Sequence, residues 1–342
     1  MNSLYRVALD TMSGDNGLQA VVPAALDSLK QHDDLILILV GDEPQLKNEL
    51  AKHKQVPNER LSIHHTTQVV TMDDAPAFAL RNKKDSSMRI AINLVKQGEA
   101  DAAVSAGNTG ALMATGRFVL RMLPGIDRPA ICTAIPSTNG HTYMLDLGAN
   151  IDSSAQHLYQ FAVMGTELVR AIDGKQNPRI GLLNIGQEDI KGNEQVKAAH
   201  ELIRRGDFNY IGFVEGDDIF HGDVDVIVCD GFVGNVALKS SEGVAKMLSQ
   251  ELKNEYTKNL YTKLAALVSF PVLKSFRHRF DHRRYNGASL LGLKGILIKS
   301  HGGADRVAFA NAISIARKAV MEKVPAKIER HLQKLAEMDK AT

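Results

Sequence analysis

Short apolar segments that run directly into turns rich in Gly, Asn, Asp and Ser recur along the chain, and a helical pattern follows most of these turns. The turns are LDTMSGDNG from Leu9, VSAGNTGALM from Val104, LDLGANID from Leu145, LNIGQEDIKGNE from Leu183, CDGFVGNVALK from Cys229 and KSHGGAD from Lys299. Many of the apolar segments are continuous, as in strands buried on both faces. The alternation predicts an α/β fold, a three-layer α/β/α sandwich with a mostly parallel sheet. We therefore expect all six turns on one edge of the sheet, where open α/β folds bind ligands.

Ten strands are predicted from these segments. They are Tyr5 to Leu9, Leu35 to Val40, Leu61 to His64, Ala102 to Val104, Ala130 to Ile135, Tyr143 to Leu147, Ile180 to Asn184, Tyr210 to Val214, Val226 to Cys229 and Ile296 to Lys299. No internal repeat, low-complexity tract or linker divides the sequence. We expect one α/β catalytic domain over residues 1–342, with a two-lobed form of it as the alternative.

Charge and cysteine content narrow the partners and the compartment. With 342 residues and a formal net charge of +2, the chain has no global field that would attract nucleic acid. Cys132 and Cys229 are too few for a disulfide framework and favour a reducing cytoplasm. The first residues enter a strand pattern without the basic start and apolar core of a signal peptide. We expect a cytoplasmic protein that binds no nucleic acid.

One stretch departs from the α/β pattern. Between Lys258 and Arg284 there are seven Lys or Arg against one acid, Asp281, while apolar residues follow a helical stripe. This predicts a protruding basic amphipathic helical hairpin at residues 254–293, broken at Pro271 and too short in its apolar run to span a bilayer. An anionic membrane, an acidic protein or packing against the body or a second subunit would each suit it. The predicted contact residues are Leu264, Leu267, Val268, Phe270, Lys274, Arg277, Arg279, Arg283 and Arg284.

The Gly-rich turns suit a small anion. Unpaired NH groups at a helix start carry partial positive charge, and Gly lets an anion approach closely. Gly107, Asn108 and Thr109 stand where the helix through Ala111 to Met122 begins. The G-x-G-x-x-G and P-loop motifs are absent, which favours an anion smaller than a nucleotide. For any single turn, a purely structural role for its Gly stays an alternative.

Other polar residues at strand ends are candidates for the same chemistry. Lys191, Asn235 and His301 lie in three of the turns, and Lys84 precedes a helix that Ser86 or Ser87 would cap. Each also has a structural reading, as a solvated lysine, a helix cap or a satisfied loop histidine. No G-x-S-x-G elbow occurs, Cys229 reads as a buried hydrophobe, and no metal site is expected because no acidic or cysteine cluster accompanies His278 and His282.

A series of blocks resembles one known family. The blocks are ALDTMSGDNG from Ala8, RNKKDSSM from Arg81, VSAGNTGALMATGRF from Val104, IDRPA from Ile126, LDLGAN from Leu145, NIGQEDIKGNE from Asn184, VEGDDIFHGDVDVIVCDGFVGNVALK from Val214 and SHGGAD from Ser300. Together they resemble the PlsX family, the bacterial acyl-ACP:phosphate acyltransferases. The likeness covers nearly the whole chain in order, and the long block with GNVALK is highly specific.

The resemblance implies a reaction and its partners. Inorganic phosphate attacks the thioester of a fatty acyl chain on acyl carrier protein, which gives acyl phosphate and free carrier protein without a cofactor. Acyl phosphate then feeds a membrane glycerol-phosphate acyltransferase at the start of phospholipid synthesis. The family is similar in fold to phosphotransacetylases and isopropylmalate dehydrogenases, and it implies a homodimer associated peripherally with the membrane.

Roles for individual residues follow from reading this reaction onto the turns. We expect Ser105, Gly107, Asn108 and Thr109 to hold phosphate or acyl phosphate, with help from Lys84, Ser86, Gly148, Asn150 and Gly186. We expect Lys191 and Asn235 to stabilise the developing charge, Asp10 and Asp146 to orient donors or polarise a ligand, and His301 to assist proton transfer. Phosphate is itself an anionic nucleophile, so no side-chain nucleophile is required.

Three other functions stay open at this point. A phosphotransacetylase acting on short acyl-CoA belongs to the same general class of enzyme. A membrane-recruited scaffold would bind phosphate or acyl groups at these turns without chemistry. A dehydrogenase rests on analogy of fold alone and is weakened by the absent dinucleotide motif.

Overall fold

The computed structural model describes residues 4–54, 59–279 and 281–341. Its strands are β1 Tyr5–Asp10, β2 Leu35–Gly41, β3 Leu61–His65, β4 Ala102–Ser105, β5 Ala130–Ser137, β6 Gly140–Leu145, β7 Arg179–Leu183, β8 Asn209–Val214, β9 Val226–Val228, β10 Ala288–Leu291 and β11 Ile296–Lys299. All ten predicted strands are present, and β10 was not predicted.

Helices separate most of these strands. They are α1 Gly17–Gln31, α2 Glu43–Leu50, α3 Pro76–Asn82, α4 Ser87–Gln97, α5 Thr109–Leu120, α6 Ala155–Asp173, α7 Glu194–Arg205, α8 Asp218–His221, α9 Gly231–Thr257, α10 Leu260–Arg279, α11 Arg306–Met321 and α12 Val324–Ala341, with a 3₁₀ turn at His282–Tyr285. No helix in the described ranges is long and apolar enough to cross a membrane.

The strands form one sheet in the order β3-β2-β1-β4-β11-β10-β5-β6-β9-β7-β8. The first five strands of this order are parallel to one another, and so are the last four. Between the two groups the direction reverses three times, from β11 to β10, from β10 to β5 and from β5 to β6. Three reversals leave the two parallel groups running in opposite directions, so their carboxyl ends lie on opposite edges of the sheet.

The expectation that all six turns share one edge is therefore wrong. The turns after β1, β4 and β11 (residues 11–16, 106–108 and 300–305) lie together on what we call the first edge. The turns after β6, β7 and β9 (residues 146–154, 184–193 and 229–230) lie on the second edge. Strand direction depends on contacts between distant segments, which the local pattern of a turn does not encode.

Both faces of the sheet are covered, which confirms the α/β sandwich. Along β1 the alternation of side chains sends Val7 and Leu9 into a cluster with α1 and α11, whereas Ala8 joins a cluster with α4 and α5. In the second half, β6 and β9 pack against α6 through residues such as Leu145 and Phe161. The same alternation sends Asp10, the last residue of β1, to the face covered by α4 and α5.

The basic segment differs from its prediction in where it begins, in where it ends and in its continuity at Pro271. The first helix of the hairpin begins at Gly231, not near residue 254, and residues 281–293 leave the hairpin to form the 3₁₀ turn and β10. The chain reverses at Lys258 and Asn259, where Asn259 and Thr262 cap each other's backbone N–H at 3.1 and 3.0 Å.

The predicted break at Pro271 does not occur, because α10 continues through that residue. A proline removes one N–H from the helix ladder. On this helix the neighbouring residues are largely exposed, so water can satisfy the freed carbonyl.

Candidate active site

Three polar side chains end three adjacent strands of the first edge. Asp10 of β1 is in register with Ser105 of β4, and Ser105 is in register with Lys299 of β11. Residues in register on parallel neighbours point to the same face. All three are buried, Asp10 completely and Lys299 to 9% exposure. The sheet thus places a carboxylate, a hydroxyl and an ammonium group side by side.

The Asp10 carboxylate is held by two hydroxyl groups. Ser87 Oγ donates to Oδ1 at 2.6 Å, and Ser105 Oγ donates to Oδ2 at 2.6 Å. Ser105 Oγ also accepts from the Gly107 backbone N–H at 3.1 Å. Short bonds to an ionised carboxylate are among the stronger hydrogen bonds in proteins. Asp10 therefore ties β4 and the start of α4 to the end of β1.

The turns of the first edge pack closely enough to require glycine. A Cβ on Gly14, whose φ is 85°, would lie 2.9 Å from Ala106 Cβ and 2.9 Å from the Gly302 carbonyl oxygen. A Cβ on Gly107 would lie 2.9 Å from Ser13 Cβ and 3.0 Å from Ser13 Oγ. The three turns accordingly contact one another, and the Ser13 side chain faces Gly107.

Lys299 is a buried cation beside the Asp10 carboxylate. Its Nζ donates to the Ala106 carbonyl at 3.4 Å and to the Ser300 carbonyl. Burial lowers the pKa of Lys299 to about 8, and the charge of Asp10 opposes that shift. At neutral pH the lysine still carries its proton, so the first edge presents a positive charge in a desolvated setting.

His301 follows in the same turn. The ring Nδ1 of His301 accepts from the Gly303 backbone N–H at 3.1 Å, and the backbone N–H of His301 donates to Asn286 Oδ1 at 2.8 Å. Burial lowers the pKa of His301, which keeps the ring neutral at physiological pH. A neutral ring with one nitrogen accepting a backbone bond presents its second nitrogen as a donor.

The second edge is organised by Asp146. This fully buried carboxylate accepts from the N–H groups of Ile131, Ala149 and Asn150 at 2.7 to 3.0 Å, and from Asn150 Nδ2 at 2.9 Å. Burial raises the pKa of Asp146, while these four bonds oppose the rise. All four hydrogen bonds are made within the protein, so in this structure Asp146 holds the conformation of the turn after β6.

Asn235 and Lys191 are two accessible polar side chains of the second edge. Asn235, in the first turn of α9, is exposed and lies against Gly148, whose φ of 113° suits glycine. Lys191 Nζ lies 3.6 Å from Glu188 Oε2 and packs over Gly186. No contact between Asn235 and Lys191 is recorded among the described residues, although their turns follow the adjacent strands β9 and β7.

Helix α9 connects the two edges. Asn235, Lys239, Glu242 and Lys246 recur at helical spacing, and we call them the polar stripe. Lys239 lies close enough to Lys299 and His301 to lower the pKa of each, and Glu242 acts on His301 with the opposite sign. Four residues of helix span about 6 Å, so Asn235 is one turn from a residue that senses the first edge.

Several predicted ligands are used within the fold instead. Asn108 caps α5 by accepting from the Ala111 N–H at 3.0 Å and donates to the Met72 carbonyl at 2.7 Å. Ser86 caps α4, and its neighbour Ser87 is the residue that reaches Asp10. Asn150 Nδ2 is shared between Pro129 and Asp146.

Two further predicted phosphate ligands keep free side chains at helix starts. Lys84 is exposed before α4, and Thr109 is half-buried at the first residue of α5. For neither is a side-chain hydrogen bond recorded in the described ranges.

Neither cysteine suits nucleophilic catalysis. Cys132 and Cys229 are both buried, and burial raises the pKa of each thiol. Cys229 Sγ donates to the Asp146 carbonyl at 3.4 Å. Both thiols stay protonated at neutral pH, so the described residues offer no activated cysteine.

Sequence reasoning missed Lys299 and Ser13 as members of the first edge. Lys299 closes an apolar strand and reads as its polar end, and Ser13 lies among the small residues of a turn. Their burial follows from the packing of three turns that are distant in sequence. A signal was present in Lys299, because a lysine directly before a Gly-rich turn stands where ligands of an α/β sheet bind.

The fold and the two edges define an α/β sandwich with Gly-rich turns at the strand ends, and solved structures of similar fold include phosphotransacetylases. The chain superposes on a phosphotransacetylase from Streptococcus pyogenes with a TM-score of 0.63 at 20% identity, covering 93% of this chain and 94% of that one. It superposes on EutD phosphotransacetylase from Staphylococcus aureus with a TM-score of 0.61 at 15% identity, covering 93% and 96%. The predicted likeness to phosphotransacetylases is confirmed at the level of fold.

Sequence comparison defines the family. The family described as "Fatty acid synthesis protein" matches residues 5–327. The phosphate acyltransferase of Methylococcus capsulatus is 63% identical over 322 residues, which cover 94% of this chain and 95% of that protein. The phosphate acyltransferase of Nitrosococcus oceani is 59% identical over 327 residues, covering 96% of each. The chain belongs to this family, as its resemblance to PlsX proteins predicted.

Proposed function

We propose that the chain is a phosphate acyltransferase that moves a fatty acyl group from the thioester of acyl carrier protein to inorganic phosphate. The observation that carries this proposal is 63% identity over 94% of the chain to the phosphate acyltransferase of Methylococcus capsulatus. The geometry supports it, because the first edge combines a buried cation, helix starts and glycine turns, and the described residues offer no activated cysteine.

The chemistry needs a positioned phosphate and a place for the oxyanion. A phosphate oxygen attacks the thioester carbon, a C–O bond forms, and the carbonyl oxygen takes up the negative charge. The C–S bond then breaks, and the departing thiolate takes a proton to become the free thiol of the carrier protein. Positioning and electrostatic stabilisation supply the rate enhancement without a covalent enzyme intermediate.

The two edges divide these tasks. Phosphate occupies the first edge, and the thioester lies along the polar stripe with its carbonyl oxygen toward Asn235 and Lys191. A phosphate held at one end and an oxyanion held at the other need a separation of roughly 10–12 Å between the protein donors, from hydrogen-bond and near-attack distances. In support of this arrangement, the charge of Lys239 acts on Lys299 and His301 of the first edge, and Asn235 lies one turn away on the same helix.

Phosphate-dependent release of thiol tests the function. Palmitoyl-carrier protein is incubated with the protein, with and without inorganic phosphate, and free thiol and acyl phosphate are measured. We expect equal amounts of both, only with phosphate present. Acetyl-CoA serves as the matched substrate for the phosphotransacetylase alternative, and a higher kcat/KM for it would favour that enzyme. Absence of release with acyl chains of every length would favour the scaffold.

The helix α10 is proposed to bring the enzyme to an anionic membrane. Its exposed apolar side chains include Leu264, Leu267, Val268 and Phe270, with Val268 exposed to 83%. Lys274 is also exposed on this helix. Charge alone would suffice to attract an acidic carrier protein, whereas large exposed apolar side chains suit the acyl boundary of a bilayer.

The remaining predicted contact residues do not all support this role. Arg283 lies beyond α10 and is paired with Asp281 at 2.6 Å and with Asp305 at 3.0 Å, which ties it to the body of the fold. The Arg284 carbonyl accepts from Asn311. The side chains of Arg277 and Arg279 lie outside the described part of the structure.

A double variant tests membrane recruitment. Changing Leu264 and Val268 to Glu is expected to abolish co-sedimentation with phosphatidylglycerol vesicles, because two negative charges replace apolar side chains that would enter the bilayer. Turnover of soluble substrate is expected to persist. The matched control, Ala265→Glu with Ser275→Glu, adds the same charge to exposed positions of α10 without removing large apolar side chains. Equal loss of vesicle binding in both variants would show that the added negative charge alone causes it. Loss of turnover would indicate a role of α10 in substrate binding or dimerisation.

Peripheral membrane association, a homodimer and a downstream membrane glycerol-phosphate acyltransferase complete the proposal, as the family resemblance implies. Acyl phosphate is reactive in water and carries an apolar chain, so delivery at a membrane surface suits its chemistry. Light scattering of the purified protein tests the dimer, for which we expect twice the mass of 37.3 kDa.

A further inference from the structure

Two hydrogen-bond donors at the first edge lack acceptors. Ser13 is 2% exposed, and its Oγ has no partner among the described residues. Lys299 carries three N–H donors, and the described structure records two acceptors for them, the carbonyls of Ala106 and Ser300. A buried hydroxyl without a partner costs stability, so its retention calls for another explanation.

The Ser13 hydroxyl and the Lys299 ammonium group both lie against the turn after β4. Ser13 faces Gly107, whose N–H bonds to Ser105, and Ser105 is in register with Lys299 on the neighbouring strand. Lys299 Nζ reaches back to Ala106, the residue between Ser105 and Gly107. The hydroxyl and the ammonium group therefore flank one turn, and no acid in the described structure makes an ion pair with Lys299.

We infer that Lys299 Nζ and Ser13 Oγ bind the phosphate that attacks the thioester, in place of the predicted Asn108 and Ser105 side chains. This rests on the proposed function for the identity of the anion. Phosphate supplies the acceptors that both donors lack, and its charge matches the buried cation. Asp10 is a positioning residue, because its carboxylate is occupied by two serines and its charge keeps Lys299 protonated.

The alternative role for Lys299 is structural. In that case it only joins the turns after β4 and β11 through two carbonyl oxygens, and its loss lowers stability without changing the affinity for phosphate. A variant of Ser13 distinguishes the phosphate-binding role from the structural one. Its hydroxyl makes no bond within the described structure, so its removal carries no structural cost.

The decisive variant is Ser13→Ala. We expect an unchanged or higher melting temperature, a KM for phosphate raised about 10-fold or more by the loss of one hydrogen bond to a charged group, and an unchanged KM for the acyl thioester. Ser137→Ala is the matched control, because Ser137 is also buried with an unpartnered hydroxyl and lies at the end of β5. An unchanged KM for phosphate in Ser13→Ala, or the same rise in the control, overturns the assignment.

Lys299→Met and Lys299→Arg add a second readout. We expect Lys299→Met to raise the KM for phosphate about 30-fold or more, as for a charged hydrogen bond, while Lys294→Met, at an exposed residue just before β11, leaves it unchanged. The groups that face Lys299 are Asp10 on β1, Asp15 after it and Lys239 on α9. Above about pH 8 the wild-type KM for phosphate is expected to rise as Lys299 loses its proton, and in Lys299→Arg this rise is expected to be absent. Identical pH profiles contradict the inference.

Phosphate binding separates this inference from the proposed function. Inorganic phosphate is expected to raise the melting temperature of the wild-type protein and of Ser137→Ala more than that of Ser13→Ala. If thiol release occurs but phosphate stabilises Ser13→Ala equally, the function stands and the site assignment fails. If phosphate stabilises only proteins with Ser13 but releases no thiol, the site stands and the function fails.

Discussion

Asn235→Ala is expected to lower kcat about 100-fold with little change in stability, a loss typical of removing one donor to an oxyanion. Asn235 is exposed, and no hydrogen bond from its side chain is recorded in the described part of the chain. Its removal therefore leaves the fold intact. Because the bond forms only when the thioester carbonyl becomes tetrahedral, kcat and kcat/KM fall together.

Steady-state kinetics on palmitoyl-carrier protein check this result. Ser240→Ala is the matched control, since Ser240 is an exposed residue of α9 outside the polar stripe. A kcat within about 3-fold of wild type for Asn235→Ala would remove it from the chemistry. A rise in KM alone would make Asn235 a ground-state contact of the substrate.

Asp10→Asn is expected to lower the free energy of unfolding by about 3 kcal/mol and to remove measurable turnover. The change removes the negative charge that raises the pKa of the buried Lys299, and one of the two serine hydroxyls loses an acceptor. Guanidinium unfolding at pH 7 measures the effect. Asp15→Asn is the control, because Asp15 is exposed on the same edge and its change is expected to stay within about 0.5 kcal/mol.

The pH dependence of this effect has a defined sign. The folded pKa of Lys299, about 8, lies below the ordinary value of 10.5, so between these pH values the unfolded chain binds more protons at this lysine. Stability at this site therefore rises with pH from about 8 to 10.5. Asp10 raises the pKa of Lys299, so in Asp10→Asn the rise is expected to begin at a lower pH. An Asp10→Asn protein with wild-type stability at pH 7 would contradict the stabilisation of buried Lys299 by the charge of Asp10.

The local patterns predicted the elements well and their arrangement poorly. Continuous apolar runs identified ten strands, because burial on both faces leaves a clear mark in sequence. The four-residue strand β10 escaped because it follows the basic helix and is too short to show a period. The two reversals at β10 cancel, so the turns were assigned to one edge because the antiparallel pairing of β5 with β6, both predicted strands, was not recognised.

In the site as well, the local sequence predicted polar residues at strand ends but not the contacts between distant turns. Asp10, Ser105 and Asp146 were predicted because a polar residue at the end of a buried strand is visible in sequence. Either Ser86 or Ser87 was expected to cap α4, and Ser86 was also predicted to bind phosphate; in the structure Ser86 is the cap and Ser87 reaches Asp10. The burial of Lys299 and Ser13 at one place depends on the packing of three turns that are distant in sequence, although the position of Lys299 before a Gly-rich turn was a usable signal.

Direct attack by phosphate is tested most directly in a single turnover. Enzyme in excess over palmitoyl-carrier protein is mixed rapidly with or without inorganic phosphate, quenched, and assayed for free thiol, acyl phosphate and acyl groups on the protein. The account predicts that thiol and acyl phosphate appear with the same rate constant, that both require phosphate, and that no acyl group is found on the protein. A burst of thiol without phosphate, with the acyl chain attached to the protein, would contradict it.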